Sequence, residues 1–208
     1  GLSFKQATDE LLAVLEELHR FHYPPANDGG RLRWPFGRIL DGLKTGLAAA
    51  QRGAGERRGA IASVGVDSWA VDYGLLDAGG RLLEDPVCYR DHRTDGAMER
   101  VLRKVPREEI FHRTGIQFLQ FNTLFQLYVH ARDGLPAGAR RLLMVPDLCH
   151  HALCGQANGE YTNASTTQLL DVRTRAWADD LFSRLSLPRE IIPEVFPPGT
   201  DLGELRPA

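Results

Sequence analysis

Apolar residues recur along this chain with two different periods. Leu11, Leu12, Leu15 and Leu18, preceded by Asp9 and Glu10, keep helical spacing over residues 8–19. Pro24, Asn27, Gly29 and Gly30 mark residues 24–30 as a loop. Phe36, Ile39, Leu40, Leu43, Leu47 and Ala48 then follow an i, i+3, i+4, i+7 pattern, which predicts a one-faced helix ending among Gly53 and Gly55. Beyond it the period falls to two. Residues 60–66 form a short β-type run, and residues 70–76 and 81–89, on either side of Asp77-Ala78-Gly79-Gly80, predict a hairpin.

Helical spacing then returns. Thr94 is placed to cap a helix whose apolar face is Ala97, Met98, Val101 and Leu102, with Pro106 stopping it. A second helix runs from Thr123 through Leu124, Leu127, Tyr128 and Ala131 to Gly134. Residues 142–145 predict a short buried strand, Asp147 opens a two-turn helix closed by Gly155, and residues 177–185 predict a last helix before Pro193, Pro197 and Pro198. This order implies a layered α/β or α+β domain rather than a bundle or a sandwich.

Composition narrows the functions open to such a domain. The 208 residues, 43% of them hydrophobic, suffice for a real core in one large or two small domains. A net charge of −2 argues against a nucleic-acid footprint or a polybasic membrane surface. No apolar stretch approaches a membrane span, and Gly1-Leu2-Ser3-Phe4-Lys5 has no signal-peptide core, so the expected compartment is the cytoplasm. Cys88, Cys149 and Cys154 make no disulfide framework. His150 and Cys154 stand at i, i+4 on one helix face, beside Cys149 and His151, but a third ligand on that face is missing and no metal site is expected. Asn163-Ala164-Ser165 fits a glycosylation sequon, which a chain without an export signal does not use.

Four polar stretches carry candidate chemistry. In Gly65-Val66-Asp67-Ser68-Trp69-Ala70-Val71-Asp72-Tyr73, Asp67 directly follows an apolar run, where α/β sheets place ligands. A period of two puts Asp67, Trp69 and Val71 on one side and Ser68, Ala70 and Asp72 on the other. Residues alone leave two readings open: ligands of a bound molecule, or a turn residue (Asp67), a core residue (Trp69) and a solvated carboxylate (Asp72). In Tyr89-Arg90-Asp91-His92-Arg93-Thr94, consecutive hydrogen-bonding side chains suit a polyol, whose buried hydroxyls must each be paired, or else form a solvated loop. In residues 115–123, Phe121 could wall a sugar face while Asn122 and Gln117 bond hydroxyls; Phe118 and Phe121 could equally be core, with Asn122 a helix cap. Residues 160–168 are unusually polar beside Leu169 and Leu170. GxxxxGK[ST], GxGxxG, GxSxG and HExxH are all absent.

Together these segments resemble the rhamnulokinase branch of the FGGY carbohydrate kinases. The resemblance is carried by Gly65-Val66-Asp67-Ser68-Trp69-Ala70-Val71-Asp72-Tyr73-Gly74-Leu75-Leu76-Asp77, by Tyr89-Arg90-Asp91-His92-Arg93-Thr94 and by Arg113-Thr114-Gly115-Ile116-Gln117-Phe118. Phe121-Asn122-Thr123-Leu124-Phe125-Gln126-Leu127, Pro146-Asp147 and Tyr161-Thr162-Asn163-Ala164-Ser165-Thr166-Thr167-Gln168-Leu169 extend it. It implies an α/β, ribonuclease-H-like (actin-like ATPase) domain, a mixed sheet with flanking helices. It further implies transfer of the ATP γ-phosphoryl group to the 1-hydroxyl of L-rhamnulose, with Mg²⁺. Asp67, Trp69, Ala70 and Asp72, Tyr89, Arg90 and Asp91, and Phe121 and Asn122 match the segments lining the family's sugar pocket. Ala70 stands where the family often has glycine.

Residues 1–17 lack the family's DxGAxxGR phosphate hairpin. The expected organisation is a sugar-binding domain over residues 1–202, the start of an interdomain linker at 203–208, and no catalytic base or nucleotide-binding domain in this chain. Turnover by the chain alone is therefore not expected; a separate C-terminal domain or self-association is. A kinase for a related ketose such as L-fuculose, and a non-catalytic sugar- or partner-binding domain, remain the alternatives.

Overall fold

The computed structural model describes residues 16–56 and 59–206. They divide into two compact units, one built from the chain up to Tyr23 and Gly37–Val64, the other from Pro24–Phe36 and Gly65–Ala208.

The first unit is organised by helix α1, Phe36–Glu56, which runs through the glycines expected to end it. Gly42 leaves its flank bare, and the Phe21 ring lies where a side chain at 42 would go. On the same segment His19 stacks on Phe21, and the Tyr23 ring tilts against Phe21. The helix expected at 8–19 lies mostly outside the described residues; its described part, 16–19, is not helical. Residues 60–66 are not a strand, and Ile61 is 40% exposed. A β-type composition records a preference for a pleated surface, but a strand also needs a neighbour, and no described strand pairs with this run.

In the second unit, residues 24–30 are not a plain loop. β1 (Ala26–Asp28) and β2 (Arg31–Arg33) pair antiparallel around Gly29 and Gly30, at φ +59° and +80°. A two-residue hairpin turn of type I′ needs positive φ at both positions, which glycine supplies at no steric cost. β2 then docks on the following body through Cys88 N–H to Leu32 O (2.8 Å) and Trp34 N–H to Pro86 O (2.8 Å). β3 (Tyr73–Leu76) is buried throughout and pairs antiparallel with β4 (Arg141–Met144). The expected hairpin after β3 survives as one bridge, Leu76 to Leu82, closed by the Asp77 carboxylate, which accepts from Gly79 and Arg81 N–H.

Thr94 is not a helix cap. It ends a short 3-10 turn, His92–Thr94, and α2 (Ala97–Leu102) starts from Gly96 in the left-handed region. Pro106 opens α3 (Arg107–Thr114), a helix with only Ile110 and Thr114 buried. α4 (Thr123–Asp133) is the central helix, with residues 123 to 129 all buried. β4 passes directly into α5 (Val145–Cys154), which Gly155 ends. Then β5 (Gly159–Glu160), α6 (Tyr161–Ser165), β6 (Leu170–Asp171), β7 (Ala176–Trp177), α7 (Asp179–Leu185) and β8 (Val195–Phe196) complete the unit. Trp177 lies in β7, ahead of the last helix rather than inside it.

The core packs Leu75 and Leu142 of the β3–β4 pair against Val101 of α2, Ile110 of α3, Leu124 and Phe125 of α4 and Phe182 of α7. Strands on helices make the α/β class, and both antiparallel and parallel pairings occur, but among the described residues the strands pair two by two. No helix of the described residues is long and apolar enough to cross a membrane.

Candidate functional site

Residues 67–72 leave the alternating pattern. The Asp72 N–H bonds the Ala70 carbonyl at 2.9 Å across Val71, whose φ is +68°. This is a three-residue γ-turn of the strained, positive-φ kind, adopted here by a β-branched residue. The turn reverses the side on which the next residue emerges, so Trp69 and Asp72, expected on opposite sides, meet.

Asp72 is 0% exposed and not solvated. Its Oδ2 accepts from Trp34 Nε1 (2.6 Å), Trp69 Nε1 (3.0 Å) and the Tyr89 N–H (3.1 Å), and its Oδ1 from Gln126 Nε2 (2.9 Å). Burial raises its pKa, and the hydrogen bonds from Gln126, Trp34 and Trp69 pull the other way. One carboxylate thus gathers an aromatic wall. The Trp34 and Trp69 rings lie 4.6 Å apart, Trp34 and Tyr89 6.3 Å, and Tyr89 and Phe121 5.3 Å. Aromatic faces of this kind pack against the C–H faces of a sugar.

The other candidates divide by whether their polar atoms are already occupied. Asp91 accepts from Leu32 N–H at 2.7 Å and Arg93 N–H at 2.8 Å, which fastens β2 to the 3-10 turn. Asn122 is buried and gives its amide to Gln117 O (2.7 Å) and Gln168 Oε1 (2.9 Å), stitching the third polar stretch to the fourth rather than capping α4. Asp67 and Arg90 are exposed; Asp67 accepts its neighbour Ser68 N–H, and Arg90 Nε bonds Tyr89 OH at 3.1 Å. Ala70 is half-buried at the start of the γ-turn.

The sequence reading missed Trp34, Arg93 and Gln126 in this arrangement. Arg93 Nη2 bonds Gln126 Oε1 at 2.6 Å and its guanidinium lies over the Tyr73 ring. Tyr73 OH meets His130 Nδ1 at 3.1 Å, and His130 faces Glu84, which pairs with Arg33 at 3.0 Å. Burial first, then the charge of Arg93, pushes His130 down to about 4. A series of polar contacts therefore leads from buried Asp72 through Gln126 and Arg93, across the Tyr73 ring, to the partly buried His130 and Glu84. The sequence-level signals for it were Gln126, a polar residue on an otherwise apolar helical face, and Arg93 within the second polar stretch.

Among the described residues no three histidine, cysteine, aspartate or glutamate side chains converge as a metal donor set. Asp72 and Asp91 have N–H donors on both oxygens, and Asp67 stands alone. These carboxylates do not fit a resident Mg²⁺ centre.

Residues 11–208 match the FGGY family of carbohydrate kinases, N-terminal domain. The chain belongs to that family. The FGGY domain is 38% identical over 194 residues to the rhamnulokinase of Halalkalibacterium halodurans, covering 92% of this chain and 41% of that protein. It is 39% identical over 196 residues to the rhamnulokinase of Enterococcus faecalis, covering 94% and 38%. The chain thus spans about two fifths of the length of these curated relatives. Among solved structures, xylulose kinase from Rhodospirillum rubrum superposes with a TM-score of 0.78 at 20% identity over 88% of this chain and 39% of that one. Plasmodium falciparum glycerol kinase with ADP gives 0.74 at 15%, over 90% and 39%. At those identities the likeness speaks to fold, and the fold is the ribonuclease-H-like, actin-like ATPase type.

Proposed function

We propose that this FGGY domain is the sugar-binding part of a rhamnulokinase-type enzyme, which transfers the γ-phosphoryl group of ATP to the 1-hydroxyl of L-rhamnulose in the cytoplasm. The observation that carries the reading is identity near 40% across more than nine tenths of the chain with rhamnulokinases, against 20% or less with the solved xylulose and glycerol kinases. ATP, carrying Mg²⁺ on its phosphates, supplies the transferred group in such a reaction, and the protein supplies position and charge neutralisation.

In this reading residues 1–202 form the sugar-binding domain and 203–208 begin a linker to a nucleotide-binding domain. Trp69, Tyr89 and Phe121, backed by the buried Trp34 ring, offer apolar faces to the C–H side and methyl end of a 6-deoxy ketose. Asp67 and Arg90 are the candidates with exposed polar heads for its hydroxyls. Asp72, Asp91 and Asn122 act one step back, because their bonds hold the walls and the loop rather than the sugar. Ala70 presents a short methyl where backbone comes near the ligand.

The test offers L-rhamnulose, L-fuculose and labelled ATP to the purified chain. L-Rhamnulose is expected to raise the melting temperature more than L-fuculose, because a ligand that binds only the folded state stabilises it. No phosphorylated sugar is expected until a chain carrying the remaining three fifths of a rhamnulokinase is added. Turnover by the chain alone would overturn the assignment of the phosphate half elsewhere; binding without complementation would favour a non-catalytic sugar-binding domain.

A further inference from the structure

Val71 is the one β-branched residue at positive φ among the described residues, and it sits between Ala70 and Asp72. Such a conformation persists only where its surroundings over-determine it. Here the Val71 carbonyl accepts from Thr123 Oγ1 at 2.8 Å and from Gln126 Nε2 at 3.2 Å, both from the first turn of α4. The same Gln126 amide donates to Asp72 Oδ1 at 2.9 Å and to the Phe121 carbonyl at 2.8 Å. All three of its acceptors belong to segments assigned to the sugar site. Its orientation is set by chemistry: Oε1 receives the Arg93 guanidinium at 2.6 Å, and a flipped amide would turn an oxygen toward three oxygens. Gln126 is 1% exposed, so no solvent can replace these bonds.

We propose that Gln126, oriented by Arg93, is a positioning residue that holds the strained turn at Val71 and the Phe121 wall in one register. The consequence for ligand affinity rests on the sugar-site reading above; the brace itself does not. Gln126 touches no ligand in this role. It fixes where Trp69 and Ala70 stand relative to Phe121.

The experiment compares the purified wild-type chain with Gln126→Leu, Thr123→Val, Val71→Gly and the Gln126→Leu/Val71→Gly pair. Thr114→Val serves as control, since it removes a buried hydrogen bond within α3. L-Rhamnulose affinity is read by tryptophan fluorescence, and the geometry of the Trp34–Trp69 pair by near-ultraviolet circular dichroism. Gln126→Leu is expected to weaken binding about tenfold, the effect of losing a hydrogen bond to a charged group. Thr123→Val is expected to weaken it less. Thr114→Val lowers the melting temperature without changing affinity. Glycine adopts positive φ freely, so Val71→Gly should restore affinity and the dichroism of the pair in the Gln126→Leu background. Unchanged binding in Gln126→Leu and Thr123→Val, or no rescue by glycine, would overturn the proposal. If Gln126→Leu does not fold, Thr123→Val decides. If the wild-type chain binds no ketose, the sugar-site reading fails and dichroism judges the brace: loss in Gln126→Leu with recovery in the pair supports it, an unchanged spectrum sinks it.

Discussion

Three of the four donors to Asp72 converge on a single oxygen, a demand that only a carboxylate meets without offering a donor in return. Asp72→Asn would set an amide N–H₂ against either the two indole N–H groups or the Gln126 amide. The expected cost is about 3 kcal/mol, the upper range for stranding buried polar groups. Chemical denaturation should show it, with a parallel change in tryptophan emission as Trp34 and Trp69 separate. Little of this was readable along the chain. Asp72 stood out as a polar residue at the right place, but whether it faced water, ligand or protein depended on Trp34, 38 residues earlier. Nothing in the local pattern around Val71 signals positive φ either, because valine is a residue that avoids it. Its geometry follows from the hydroxyl and amide that α4 brings to its carbonyl.

β3 is the most confined of the strands. A side-chain carbon at Gly74 would stand 2.7 Å from Leu82 Cδ1 and 2.8 Å from Leu148 Cδ1, so the return arm of the hairpin and α5 close on it from two directions. Gly74→Ala is expected to destabilise by about 1–3 kcal/mol, the usual effect of overpacking a core, read as a lower denaturation midpoint with an unchanged slope. Elements with strong internal patterns were legible: α4 starts at Thr123 and ends before Gly134 as its spacing predicts, and β4 and α5 fall within a residue or two of expectation. Elements defined by pairing were not. The β1–β2 hairpin has strands of three residues, too short to alternate visibly, so only its Gly-Gly turn spoke. Residues 60–66 are a short β-type run yet meet no described partner, and α3 buries too few residues to show a stripe.

At the scale of the whole molecule, Asp147 and His130, the described groups with large shifts between about pH 4 and 7, set opposite pH dependences. Burial, with the charge of Glu160 adding and the Glu160 N–H opposing, raises Asp147 from 3.8 to about 7, and its Oδ2 has no hydrogen-bond partner among the described residues. Its folded-state pKa lies above the unfolded one, so its contribution is fully favourable below pH 3.8 and is lost as pH rises toward 7. His130, lowered from 6.5 to about 4, runs the other way: its contribution is complete above pH 6.5 and is lost as pH falls toward 4. Asp147→Asn should therefore raise the melting temperature at pH 8 by at least about 3 °C, the shift that about 1 kcal/mol produces in a chain of this size. The same variant should show stability climbing from pH 4 to 6.5, whereas His130→Gln should show it falling as pH rises through that range. Melting curves against pH for the three proteins test both signs.

The contacts that make the aromatic wall also dictate when it can exist. Asp72 reaches back 38 residues to Trp34, forward 17 to Tyr89 and forward 54 to Gln126. During synthesis the Asp72 hydrogen-bond set is therefore complete only once Gln126 of α4 has left the ribosome. A nascent chain halted before Gln126 would carry every ring of the wall and three of the four donors to Asp72, but not the amide that braces Val71 and Phe121, which makes that interval of translation one in which a chaperone has much to shield.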